Sequence, residues 1–133
     1  MPPNTKKLGV ITSLGLAAGI GLGAIGAHTL RPHLTDIQFN SYETGIRYLF
    51  YHLISVLILL HFAHTSRNTI FLLASKIMLI GTLLFSGSIL LLSTKDLSGI
   101  RLQSFWGLIT PLGGLVLIAS WCIVAWGYFN EES

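Results

Sequence analysis

The sequence predicts an all-α fold: an integral membrane bundle of four transmembrane helices, with a short interfacial helix between helices one and two. Three observations predict it. Charged residues are only 10% of the 133, against about 25% in a soluble domain. Hydrophobic residues make up 52%, and mean hydropathy is +0.71. The apolar residues gather into runs at Leu8 to Ala27, Ile46 to Ala63, Ile70 to Ser93 and Trp106 to Phe129. Each run is near the roughly 20 residues that cross a hydrocarbon core. The chain is read as a single domain, 1–133, with helices at about 8–29, 44–65, 69–93 and 106–129, and its partner is the lipid bilayer. The net charge of +3 comes from eight scattered basic residues, which excludes nucleic acid as a partner. Cys122 stands alone in an apolar run and is expected to pack as a small apolar residue.

Helix one follows Lys6 and Lys7. A basic start also suits a signal peptide. The run that follows is longer than a typical h-region and ends without a small-x-small cleavage site, so an uncleaved span is expected. Gly15, Gly19 and Gly23 recur every four residues, and Ala27 continues the row. In lipid such a row lets another backbone approach closely. Its partner is either another helix of the same chain, the favoured reading, or a second subunit.

The link to helix two carries Thr35 and Gln38 at capping-box spacing. Glu43 precedes Arg47 by four, the favourable order for a helical ion pair. Leu34, Ile37, Tyr42, Ile46 and Leu49 form a loose apolar stripe. An interfacial helix that continues or bends into helix two is expected.

Helix two then presents Thr44, Tyr48, His52 and Ser55 along one face. Polar groups inside a bilayer need partners, so this stripe should face protein. It makes either a polar or proton-linked pocket around His52, or hydrogen bonds between helices. His28 closes helix one on the same membrane side. It either approaches His52 or Glu43 or stands in interfacial water. The candidate polar intramembrane site is therefore His28, Glu43, Thr44, Arg47, Tyr48 and His52. His61 and His64 have helical spacing, but no carboxylate or cysteine nearby completes a metal set. No metal and no cofactor are expected.

In helix three, Lys76 lies about two turns in, where its stem can snorkel to the interface. Ser86, Gly87 and Ser88 suit a tight helix crossing. A serine nucleophile would need a base, and none can be placed, so no catalytic residue is assigned and the chain is not expected to be an enzyme. Helix four contains Ile109-Thr110-Pro111-Leu112-Gly113-Gly114. Thr110 is read preferentially as an N-cap, with Pro111 as the first helical residue. In the other reading the helix starts near Trp106 and kinks at Pro111, with Trp106 and Trp126 in opposite aromatic belts. Either way Gly113 and Gly114 offer a smooth face to a neighbour.

Four spans place both termini on one side. Lys6, Lys7, Arg67 and Lys76 fall on that side, and Arg31, Arg47, Lys95 and Arg101 on the other. The balance is nearly even; the two lysines before helix one favour a cytoplasmic N-terminus.

Taken together, these stretches resemble the small four-span membrane proteins grouped as domain of unknown function 423, related to the transmembrane protein 256-like proteins. The family's Gly-Ala-x-Gly-Ala-His element corresponds to Gly23 to His28. Its Thr-Ala-x-x-Tyr-x-x-x-His element corresponds to Thr44, Tyr48 and His52, with Gly45 in place of alanine. Leu-Phe-Ser-Gly-Ser corresponds to Leu84 to Ser88, and Ile-Thr-Pro-x-Gly-Gly to Ile109 to Gly114. A following Gly-Trp stands here as Ser120-Trp121. The resemblance implies a multi-pass membrane protein without a settled activity. It implies the cytoplasmic membrane for bacterial members and mitochondria for eukaryotic relatives. The lack of a transit-like N-terminus points to the bacterial type. The expected function is a structural or accessory membrane component without catalysis, serving a larger membrane complex or a homo-oligomer. The alternative is a small-solute or proton-linked transporter or channel using a polar site near His28 and His52.

Overall fold

A helix needs its first amide protons capped, and Thr35 does this for the longest one. Its hydroxyl accepts from the Gln38 amide, and the Gln38 side chain accepts from the Thr35 amide at 3.0 Å, so the capping box is complete. The computed structural model describes residues 3–99 and 105–130; Arg101 of the charge balance, and the chain ends at 1–2 and 131–133, lie outside them. The α-helices are α1 (Pro3–Ile25), α2 (Asp36–Thr65), α3 (Thr69–Ser93), α4 (Lys95–Ser98) and α5 (Trp106–Phe129). A π-helical turn, Gly26–Leu30, and a 3-10 turn, Arg31–His33, join α1 to α2. Four helical stretches are long and apolar enough to cross a membrane, the first running from Thr5 through the π- and 3-10 turns to His33.

The expected interfacial segment is helical and runs unbroken into α2. At 30 residues, α2 is about 45 Å long and exceeds a core of about 30 Å. Its first turns, rich in Asn40, Ser41 and Glu43, therefore stand in the headgroup layer. The Gln38 side chain donates to Asp96 at 2.7 Å, which ties this end to α4.

α3 is the central helix. In its most apolar window 44% of residues are buried, against 11% for the first span. It packs on α2 along one side and on α5 along the other, while α1 lies on the outer side of α2. The core joins Val56, Leu59 and Leu60 of α2, Phe71, Ala74 and Met78 of α3, and Leu117 and Val124 of α5. Large apolar side chains such as Leu14, Ile58, Leu83 and Ile118 point outward, which is the surface lipid requires rather than water. Lys76 is exposed, as snorkelling needs. Cys122 is also exposed; it lies on the outer face of α5 and does not pack, because Leu117, Ser120 and Val124 take the inner face.

The preferred reading of Thr110 as an N-cap is overturned. α5 begins at Trp106 and carries Pro111 in its interior. The Thr110 hydroxyl lies 2.7 Å from that of Ser88 on α3, so it joins two helices and caps none. Pro111 removes one bond, to the Gly107 carbonyl, a loss that membrane helices tolerate. Pro111 is exposed and is not part of the packing face, because it lies about 200° around the helix from the buried Gly113.

Candidate functional site

Helix packing sets the frame. A Cβ on Gly15 would lie 3.0 Å from Leu53, one on Gly19 would lie 2.8 Å from Leu49, and one on Gly23 would lie 3.8 Å from Ile46. The row thus seats α1 on α2 of the same chain. The row ends at Gly26, where a Cβ would run into the Tyr42 ring. The Tyr42 hydroxyl donates to the Leu22 carbonyl at 2.7 Å. This clamp sits at the π-turn, a form that often marks functional sites. On the other side of α3, Ser86 and Ser88 are buried, while Gly87 between them has open space beside it. Gly87 is therefore not a contact point. Gly114 meets the Phe85 ring at an ordinary 3.6 Å.

The six candidate polar residues do not converge. His52 is buried and faces Trp121 of α5. Its ring stacks on Tyr48, with centroids 5.8 Å apart, and meets Trp121 edge-on at 6.3 Å. Its Nδ1 lies 2.8 Å from the Tyr48 carbonyl. A carbonyl only accepts, so Nδ1 carries a proton in this bond. Tyr48 is 40% exposed and touches Phe85 at 5.0 Å. The Thr44 hydroxyl donates back to the Asn40 carbonyl.

His28 is exposed on the π-turn and does not meet His52. α1 packs on Ile46, Leu49, Phe50 and Leu53, a face of α2 other than the one His52 shares with Trp121. The levels also differ: Gly19 stands beside Leu49 and Phe50, and His28 lies nine residues beyond it, about 14 Å of helix. Glu43 and Arg47 instead line a groove between the π-turn and α2. They do not form the expected ion pair among the described residues. Tyr42, Phe39 and Tyr51 share that groove, and Arg31 stacks over Phe39 at 4.2 Å from its centroid. Among the described residues no three His, Cys, Asp or Glu side chains gather as metal ligands.

Sequence reasoning placed Tyr42 in an apolar stripe but missed its hydroxyl bond, and it missed Trp121 as the neighbour of His52. The Ser120-Trp121 dipeptide was the available sign: Ser120 is fully buried and bonded to the Leu117 carbonyl, which leaves Trp121 beside the α2 face.

The family described as "Protein of unknown function (DUF423)" matches residues 22–114, the stretch that holds the clamp, the groove and the crossing at Gly113. The chain is 35% identical over 118 residues to the UPF0382 membrane protein YwdK of Bacillus subtilis, covering 88% of this chain and 89% of that one. It is 32% identical over 108 residues to the UPF0382 inner membrane protein YgdD of Escherichia coli K12, covering 81% and 78%. The UPF0382 membrane protein SH2409 of Staphylococcus haemolyticus is 31% identical over 115 residues, covering 86% and 88%. No solved structure matches the chain.

Proposed function

From the premise that the chain belongs to the family of proteins of unknown function DUF423, and is a multi-pass membrane protein, we propose that it serves as a structural or accessory membrane component without catalysis. The observation that carries this reading is where the membrane-level hydroxyls go. Thr12 donates to the Leu8 carbonyl, Ser55 to Tyr51, Ser75 to Leu72, Thr82 to Met78 and Ser120 to Leu117. Each of these is satisfied by its own helix, and Ser88 and Thr110 satisfy each other across α3 and α5; among the described residues only the Ser86 hydroxyl is buried and left without a partner. Side chains that could bind or relay a solute are instead used to let helices pass closely. A transport site built on His28 and His52 would need both at one level, and they stand on different faces and heights.

The bacterial cytoplasmic membrane is the proposed location, in line with the inner membrane named for the Escherichia coli relative. Affinity purification of the full chain in mild detergent tests the role. A larger partner recovered in fixed stoichiometry is the expected result. A pure small oligomer whose thermal stability depends on an added solute would overturn it in favour of transport.

A further inference from the structure

The groove between the π-turn and α2 encloses about 430 Å³, within the range of small-ligand sites. Its floor is apolar, formed by Gly23, Ala27, Ile46 and Phe50. Its charges are Glu43 and Arg47, both exposed, one helical turn apart and not paired with each other among the described residues. The fold itself uses neither of them.

Depth and order give these charges a direction. α2 runs from the headgroup layer inward. If Thr65 marks the far surface, a core of about 30 Å reaches back to about Gly45. Arg47 then lies at the edge of the hydrocarbon, and Glu43 about 6 Å nearer to water. A phospholipid carries its phosphate beside the glycerol, at the hydrocarbon edge, and its headgroup amine farther out. The groove offers a cation deep, a carboxylate shallow and an apolar floor below.

We propose that this groove binds one membrane phospholipid with a primary amine headgroup. The phosphate sits on Arg47, whose planar fork suits it. The ammonium donates to Glu43, and an acyl chain lies over the small residues between α1 and α2. Headgroup recognition by charged pockets between helices is a known form of lipid binding. The carboxylate supplies the selectivity. A glycerol headgroup brings no cation to it, and a choline headgroup brings a cation without N–H donors.

The test uses the full chain, purified in mild detergent and stripped of lipid. Phosphatidylethanolamine, phosphatidylglycerol and phosphatidylcholine with identical acyl chains are added in turn, and bound lipid is read by native mass spectrometry. The ethanolamine lipid should be retained about fivefold better than the other two, the scale of one partly exposed charge contact. Glu43→Gln should erase that preference, and Arg47→Gln should lower retention of all three. Ala27→Phe fills the groove from an exposed position and should release lipid with both charges intact. Helicity and melting without lipid report whether each variant folds, and Glu43→Gln alone decides if the others do not. Equal retention of the three lipids, or a preference that survives Glu43→Gln, overturns the proposal. So does displacement of the lipid by soluble phosphoethanolamine, since recognition would then need no membrane lipid.

Discussion

At Gly113 the backbones of α5 and α3 come into contact: a Cβ there would lie 2.8 Å from the Phe85 Cα. A backbone atom cannot swing aside as a side-chain tip can. Gly113→Ala should therefore destabilise the protein by about 1–3 kcal/mol, the usual cost of overpacking. Gly114→Ala, facing a ring at ordinary contact distance, should be nearly neutral, and so should Gly87→Ala, which faces open space. Thermal unfolding of the three variants in one detergent compares them; equal losses would remove Gly113 from the crossing. At Tyr42, removing the hydroxyl as Tyr42→Phe should cost about 1 kcal/mol, because the Leu22 carbonyl loses a donor that lipid cannot replace. An unchanged melting temperature would mean the clamp is the ring alone. At this scale the sequence marked small residues but not their neighbours. Spacing of four put Gly15, Gly19 and Gly23 on one face, and they stayed together against α2. Adjacent residues such as Ser86, Gly87 and Ser88 point in three directions, and only the partner helices decide which of them is buried.

Among the elements, α5 tests how membrane helices tolerate proline. Pro111 is exposed, and its ring does not hold the crossing; Thr110 and Gly113 do. Pro111→Ala should keep the fold and raise the melting temperature, because the Gly107 carbonyl regains its donor. A lower melting temperature would show that the backbone shape set by Pro111 is needed to bring Thr110 to Ser88. The spans were legible because each must hold a long apolar run, and the α2 start was legible because a capping box is local chemistry. The start of α5 was not, since Thr-Pro suits a helix entry as well as a kinked interior. The π-turn was invisible for a related reason. Gly26-Ala27-His28 has no composition that separates it from an α-helix; the widened turn accompanies Tyr42 docking on Gly26, a contact between elements.

For the whole molecule, the path of the chain fixes which ends share a membrane side. Thr5 near the start of α1 lines a cavity with His64, Arg67 and Thr69 at the α2–α3 turn. Tyr128 near the end of α5 touches Phe62 and Phe71, at 6.0 and 5.0 Å between ring centroids. The beginning of α1 and the end of α5 therefore lie together. The peripheral place of α1 gives a first expectation here. Gly19→Leu should push α1 from α2 and speed hydrogen exchange along α1 while the α3–α5 crossing keeps its protection. Gly9→Leu, beside open space, should change neither. Uniform loss of protection after Gly19→Leu would make α1 part of the cooperative core.

Sidedness follows from the same path. Lys6, Lys7 and Arg67 stand at the end that holds the beginning of α1, with Lys76 exposed about two turns into α3 from that end; Arg31, Arg47 and Lys95 stand at the other end. These sets are nearly equal, but they do not weigh equally. Lys6 and Lys7 immediately precede the first apolar run, the segment that usually sets orientation during insertion. Arg31 lies over the Phe39 ring, so it also has a role in the fold, and Arg47 lines the groove. Both chain ends are therefore expected in the cytoplasm. The measurement is a pair of reporter fusions, one at each end, checked by thiol accessibility after the exposed Cys122 is replaced by Ser. Reporters on opposite sides would sink the four-span fold. Reporters together on the outer side would keep the fold and overturn only the weight given to Lys6 and Lys7; the groove would then recruit its phospholipid from the cytoplasmic leaflet.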